Sequence, residues 1–170
     1  MLKAIGALML LCGCSGIGLM QVTYMDKRIK TIRSLLCALE IMERELSFRM
    51  PLLEEILATA VGPTEDPTRS FLSSCEKELI NNVDKSFFDI WKDAANEQLT
   101  CLKKSDLDHV LALGRVLGRY DSEGQGQAIG QALSALKQSL SNAEDDRNSR
   151  GKVCKALSAT AGALLVILLL

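Results

Sequence analysis

Two uncharged runs frame the chain, one over residues 4–25 and one over 156–170, and between them apolar residues recur at three- and four-residue steps. At about 1.5 Å of rise per residue, a helix over the first run covers a hydrocarbon core of about 30 Å. Residues 1–25 therefore read as a transmembrane helix. The second run gives only about 22 Å, so a span over 153–170 needs Val153, Cys154 and a snorkelling Lys155 to help, or the bilayer to thin. Between the spans, Ile29, Ile32, Leu35, Leu36, Leu39, Met42 and Leu46 mark an amphipathic helix continuing from the first span.

Pro51 stops that helix and starts another, with Leu52, Leu53, Ile56, Leu57 and Val61 as its apolar face. Residues 62–67, Gly-Pro-Thr-Glu-Asp-Pro, form the clearest loop. A helix over about 68–81 follows, carrying Phe71, Leu72, Cys75, Leu79 and Ile80. Another over about 85–102 buries Phe87, Phe88, Trp91, Ala94, Ala95 and Leu99. The stretch Ser105-Asp106-Leu107-Asp108 opens the next helix as a capping box with Asp in place of Glu. The last helix begins near Ser122 and spaces Ile129, Leu133, Leu136 and Leu140 as a heptad seam, able to pair with the helix after the first span. The polar stretch 139–152 either continues that helix or forms a flexible entry to the second span. The expectation is an all-α protein: a compact cytoplasmic bundle of about six helices over 26–150, flanked by N-terminal and C-terminal transmembrane helices.

Charge sets the orientation. Lys27, Arg28, Lys30 and Arg33 follow the first run while Lys3 alone precedes it, and Arg147, Arg150, Lys152 and Lys155 lead into the second. Both basic clusters face the middle of the chain, which places the domain in the cytoplasm. A rival reading starts from Leu11-Cys12-Gly13-Cys14, which has the form of a lipobox. It makes the chain an extracytoplasmic lipoprotein anchored at Cys14 and acting as a binding module, and the charge distribution argues against it.

The net charge of −1 and pI near 5.9 supply no basic face for nucleic acid. Aromatic residues are only 4%, and a sheet protein would want more of them in alternation. The six cysteines show no two-residue gap, and His109 has no Cys or His at ligand spacing, so no metal site is expected.

One stretch stands out for surface rather than chemistry: residues 113–125, LGRVLGRYDSEGQ. Four-residue spacing puts Gly114 and Gly118 on one helix face, where another backbone can approach, and Asp121 or Ser122 caps the next helix. Gly114, Gly118, Asp121 and Gln125 are the candidate docking or packing positions. Glu40, Glu43 and Glu45, with Glu54 and Glu55, form either a recognition surface for a basic partner or the solvated faces of two helices. There is no phosphate loop or zinc helix, and Gly124-x-Gly126 has no strand before it. The expectation is a protein without enzymatic activity, cofactor or small-molecule substrate.

Taken in order, the first span, the basic helix RIKTIRSLL at 28–36, the acidic segment ALEIMEREL at 38–46, Pro51-Leu52, Trp91, the LGxxLGxxDxxxQ string at 113–125 and a hydrophobic tail after a basic stretch resemble the stage III sporulation protein AB family. The resemblance covers essentially the whole chain. It implies a protein of endospore-forming bacteria in the mother-cell membrane surrounding the forespore. The helical domain would be similar to the cytoplasmic domains of the type II secretion platform protein, the F component. The implied role is structural: to couple a cytoplasmic secretion-type ATPase, stage III sporulation protein AA, to other membrane components of the channel between mother cell and forespore. Departures from the family pattern are the cysteine pair in the first span, Tyr120 and Glu123.

Overall fold

Helix α1 (Leu2–Arg49) opens the chain, followed by α2 (Leu53–Val61), α3 (Thr68–Asn81), α4 (Phe87–Gln98), α5 (Lys104–Gly114) and α6 (Ser122–Leu169). The computed structural model describes residues 2–49, 52–81, 84–117 and 122–169, with side chains over 23–48, 52–81, 84–117 and 124–149. Among the described residues there is no strand. The periodic helix after the first run is one helix with it, and the polar stretch 139–152 is helical throughout, so the flexible entry is not formed. Among the described residues no helix is long and apolar enough to cross a membrane. The two runs read as spans, 4–25 and 156–170, lie almost wholly outside the residues whose side chains are described.

The chain divides into two units, one of residues Met1–Lys27 with Asn142–Leu170 and one of Arg28–Ser141. Within the first, Arg147 Nε donates to Asp26 Oδ1 at 2.8 Å, between two half-exposed side chains.

In the second unit, side-chain contacts fix the helix directions. Ser34 on α1 donates through Oγ to the Glu65 carbonyl at 3.2 Å and accepts from the Glu65 amide at 2.9 Å, so the loop after α2 returns to the early part of α1. Thr68, opening α3, donates to the Thr31 carbonyl at 3.4 Å. Cys101, after α4, places Sγ 3.1 Å from Thr31 Oγ1, and Asp106, opening α5, meets Arg28. On α6, Lys137 pairs with Glu40 at 3.1 Å, and Gly130 lies beside Glu43. Each helix thus reverses the one before it, an up-down bundle with α2 on α3, α3 on α4 and α4 on α5.

The core draws on every helix: Ile32, Leu39 and Met42 of α1, Ile56 and Leu57 of α2, Phe71 and Leu72 of α3, Ile90 and Trp91 of α4, Val110 and Leu113 of α5, and Ile129 and Leu136 of α6 are all buried. The seam expected on α6 does face the same core as α1.

Three local expectations are corrected. The helix expected over 85–102 is α4, Phe87–Gln98, because Ser86 ends the extended chain: its Oγ accepts from the Asp89 amide at 3.2 Å and donates to Asp89 Oδ2 at 2.6 Å. The capping residue of α5 is Lys103 rather than Ser105. Asp106 supplies the returning carboxylate, its Oδ2 accepting from the Lys103 amide at 3.2 Å. Two residues assigned to apolar faces, Leu52 and Ile80, are exposed at 71% and 57%. Leu52 is the capping residue of α2 and precedes its buried face, and Ile80 lies in the last turn of α3, beyond the buried Thr68, Phe71, Leu72 and Cys75.

Candidate functional site

Two arrangements in the second unit decide what its surface can be. The first is a buried ion pair joining three helices. Arg28 presents Nε to Asp106 Oδ2 at 2.8 Å and Nη2 to Oδ1 at 3.1 Å, a two-point fork between side chains exposed by only 7% and 0%. Asp106 also accepts from the Lys103 amide and from the Ser139 hydroxyl on α6. Burial alone would push the Asp106 carboxyl up. The Arg28 and Ser139 hydrogen bonds, the Arg28 charge and the Lys103 amide outweigh burial and hold it below the usual carboxylate range. Both carboxylate oxygens thus have donors, which makes a charge tolerable at such depth. The pair ties the point where α1 enters this unit to the start of α5.

The second is the seat of Trp91. Its ring is packed edge-on to Phe71, with centroids 4.6 Å apart at 73°, and tilted against Phe87 at 5.5 Å. Its Nε1 donates to the Val110 carbonyl on α5 at 2.8 Å. One turn further along α5 is Gly114, buried against the indole. A Cβ at Gly114 would lie 2.7 Å from Cγ and 2.8 Å from Nε1 of Trp91. Only a residue without a side chain lets α5 lie this close to the ring. Beside this seat, the Arg115 guanidinium stands 5.4 Å over the Phe88 ring. Cys75, also in the core, has its thiol pushed up to about 12 by burial and is not a nucleophile at neutral pH. Among the described residues no group of three His, Cys, Asp or Glu side chains could hold a metal ion.

A helical bundle fits many roles, and the comparison that narrows them runs the length of the chain. The family model described as stage III sporulation protein AB matches residues 3–170. The chain belongs to the stage III sporulation protein AB family. It is 27% identical over 172 residues to stage III sporulation protein AB of Bacillus subtilis (strain 168), covering 100% of both chains. A solved structure of stage III sporulation protein AB matches with a TM-score of 0.65 and 24% identity, over 72% of this chain and 98% of the solved one, and speaks for a shared fold.

The positions singled out in the sequence fall in different surroundings. Gly114 is buried and turned to Trp91, inside the unit. Gly118 and Asp121 lie outside the described residues. Gln125 is half-buried in the first turn of α6. Glu40 is exposed and paired with Lys137 across α6, Glu43 is half-buried with Oε1 3.7 Å from where a Cβ on Gly130 would stand, and Glu45 is half-buried. An exposed pair of this kind contributes little to stability, and Glu40 is to that extent already occupied.

The sequence reading missed the Arg28–Asp106–Ser139 network. In the sequence Arg28 belongs to a basic cluster and Asp106 to a cap, and no spacing rule joins residues 78 apart. Phe48, at 81% the most exposed large apolar side chain among the described residues, is also absent from the sequence reading. There the signal was present: Phe48 falls off the periodicity of Leu39, Met42 and Leu46.

Proposed function

We propose that this member of the family is a membrane-embedded structural adaptor of the secretion-like channel between mother cell and forespore in endospore formation, coupling a cytoplasmic secretion-type ATPase, stage III sporulation protein AA, to the membrane assembly. The observation that carries the reading is the family match over residues 3–170, which takes in both uncharged runs as well as the bundle. On this reading residues 1–25 and 153–170 cross the membrane and the bundle stands in the cytoplasm, held at both ends of the chain. Its mechanical merit is density. Close-packed helices pass displacement on rather than absorb it, and the Arg28–Asp106 fork removes slack between α1 and α5. The protein needs no chemistry of its own in this role, since the ATPase supplies the work.

The test is co-purification from sporulating cells. The full chain, tagged and solubilised from membranes in mild detergent, is expected to retain the ATPase through washing in moderate salt. An ATPase that stays wholly in the soluble fraction, with the chain recovered alone, overturns the proposal.

A further inference from the structure

The Asp26–Arg147 bond, at 2.8 Å, sets the register of the first unit. Both long helices are unbroken there and together make one compact unit, so they run side by side away from that bond, α1 back toward residue 2 and α6 on toward residue 169. At about 1.5 Å per residue on each helix, position 152 falls level with position 21, 155 with 18 and 169 with 4. The two uncharged runs therefore lie beside each other only over about residues 4–17 and 156–169. The last part of the first run, residues 18–25, stands instead beside the cationic stretch 148–155.

That offset places the edge of the hydrocarbon. Residues 18–25 include Gln21, Thr23 and Tyr24, and Tyr24 is 51% exposed. Polar groups and a tyrosine suit the headgroup layer rather than the acyl chains. The same layer then takes residues 148–155 of α6, which spares their cations the hydrocarbon.

The charges at this level have one sign. Residues 1–25 and 147–170 contain no Asp or Glu. Asp26, the first carboxylate along α1, is held by Arg147. Arg150 has Asp146 four residues before it, a spacing that suits an ion pair. Lys152 and Lys155, three apart on one face of α6, have no acid within four residues on either side and none at the level beside them on α1. Orientation in a membrane needs only a count of cations, but two cations left without a carboxylate call for an anion from outside the chain. At the headgroup level that anion is a lipid phosphate.

We propose that Lys152 and Lys155 form a binding site for the headgroups of anionic phospholipids, beside residues 18–25 of α1. The inference rests on the reading of the two uncharged runs as membrane spans, and deepens it by naming the lipid class that the first unit takes.

The test reconstitutes the full chain into phosphatidylcholine vesicles with a trace of a photo-crosslinking lipid, either phosphatidylglycerol or phosphatidylcholine. Each lysine beside an anionic headgroup contributes about fivefold in binding, and two about 25-fold. The unaltered chain is expected to give at least about tenfold more adduct with the phosphatidylglycerol probe, and Lys152→Gln with Lys155→Gln should bring the two probes to within about twofold. Lys77→Gln with Lys92→Gln removes the same charge from exposed positions of the second unit and should leave the preference intact. Equal adduct from the two probes on the unaltered chain, a preference that survives loss of Lys152 and Lys155, or one lost as fully with Lys77 and Lys92 overturns the proposal. Excess soluble glycerol phosphate at constant ionic strength should not compete; if it does, the ligand is free phosphate and the assignment to lipid is overturned. Alkaline carbonate extraction of the same vesicles separates the two claims. If the chain stays with the vesicles and shows no lipid preference, the lipid site is wrong and the spans stand. If carbonate strips the chain away, the spans fail and the lipid site falls with them.

Discussion

Replacing Gly114 with alanine places a methyl group where the indole of Trp91 already is. The nearest ring atoms that would face it include Cγ at 2.7 Å and Nε1 at 2.8 Å, inside any real carbon contact. The ring has little room to withdraw. Trp91 is 1% exposed, lies between Phe71 and Phe87, and is held by its hydrogen bond to Val110. Forcing extra volume into such a site costs about 1–3 kcal/mol, and a ring that swings away leaves its N–H without the Val110 carbonyl, a further 0.5–1.5 kcal/mol or so. Alanine recovers up to about 1 kcal/mol as the better helix former. The balance is a loss of about 1–3 kcal/mol, and a domain of this size should melt roughly 4–12 °C lower. Circular dichroism reads the melting, and emission reads the site directly, because Trp91 is the only tryptophan. Gly126→Ala is the control: a Cβ there meets nothing within 4 Å, so the same change should be neutral or mildly stabilising. If Gly114→Ala melts with the unaltered protein and leaves the emission unchanged, the close seat of α5 on Trp91 is refuted.

The buried fork gives a second prediction: Arg28→Ala leaves the Asp106 charge without its partner and should cost about 3–5 kcal/mol, whereas Arg28→Met with Asp106→Leu should recover most of it, as denaturant titration would show. The same carboxylate sets an acid limit. Its depressed pKa means its contribution is complete above the ordinary carboxylate range, near pH 4, and drains away as pH falls through the lower folded value. The melting gap between the unaltered protein and Asp106→Asn should therefore be wide near pH 7 and close below about pH 4; a gap constant with pH would contradict the assignment. Cys75 should resist maleimide at neutral pH until the bundle unfolds, while half-buried Cys37 and Cys101 react sooner, as mass spectrometry of labelled peptides would show.

What the residues declared in advance was mostly what local spacing can carry. Ile32, Leu39 and Met42, and on the other long helix Ile129 and Leu136, are buried as their periodicity requires, because a repeating apolar face has to find a core. Less legible were the ends of elements. Ser105 and Asp106 offer two registers for one capping box, and only the pull of Arg28 on Asp106 selects the one with Lys103 as the cap. Leu52 and Ile80 look like core residues to any periodic rule, yet Leu52 is the capping residue of α2, outside its helical turns, and Ile80 lies in the last turn of α3, beyond the residues that helix buries. The spacing of Gly114 and Gly118 marks a place of close approach, for docking or for packing inside the domain, without saying which. The approach at Gly114 is made by Trp91, 23 positions earlier in sequence, through a contact between α4 and α5 that no helical wheel displays.

The adaptor proposal meets its most direct test in vesicles. The full chain is reconstituted into liposomes, mixed with the purified ATPase and floated through a density gradient. The account predicts that the ATPase rises with vesicles bearing the chain and stays at the bottom with vesicles lacking it. An ATPase that stays at the bottom in both cases, while the chain itself floats, contradicts it.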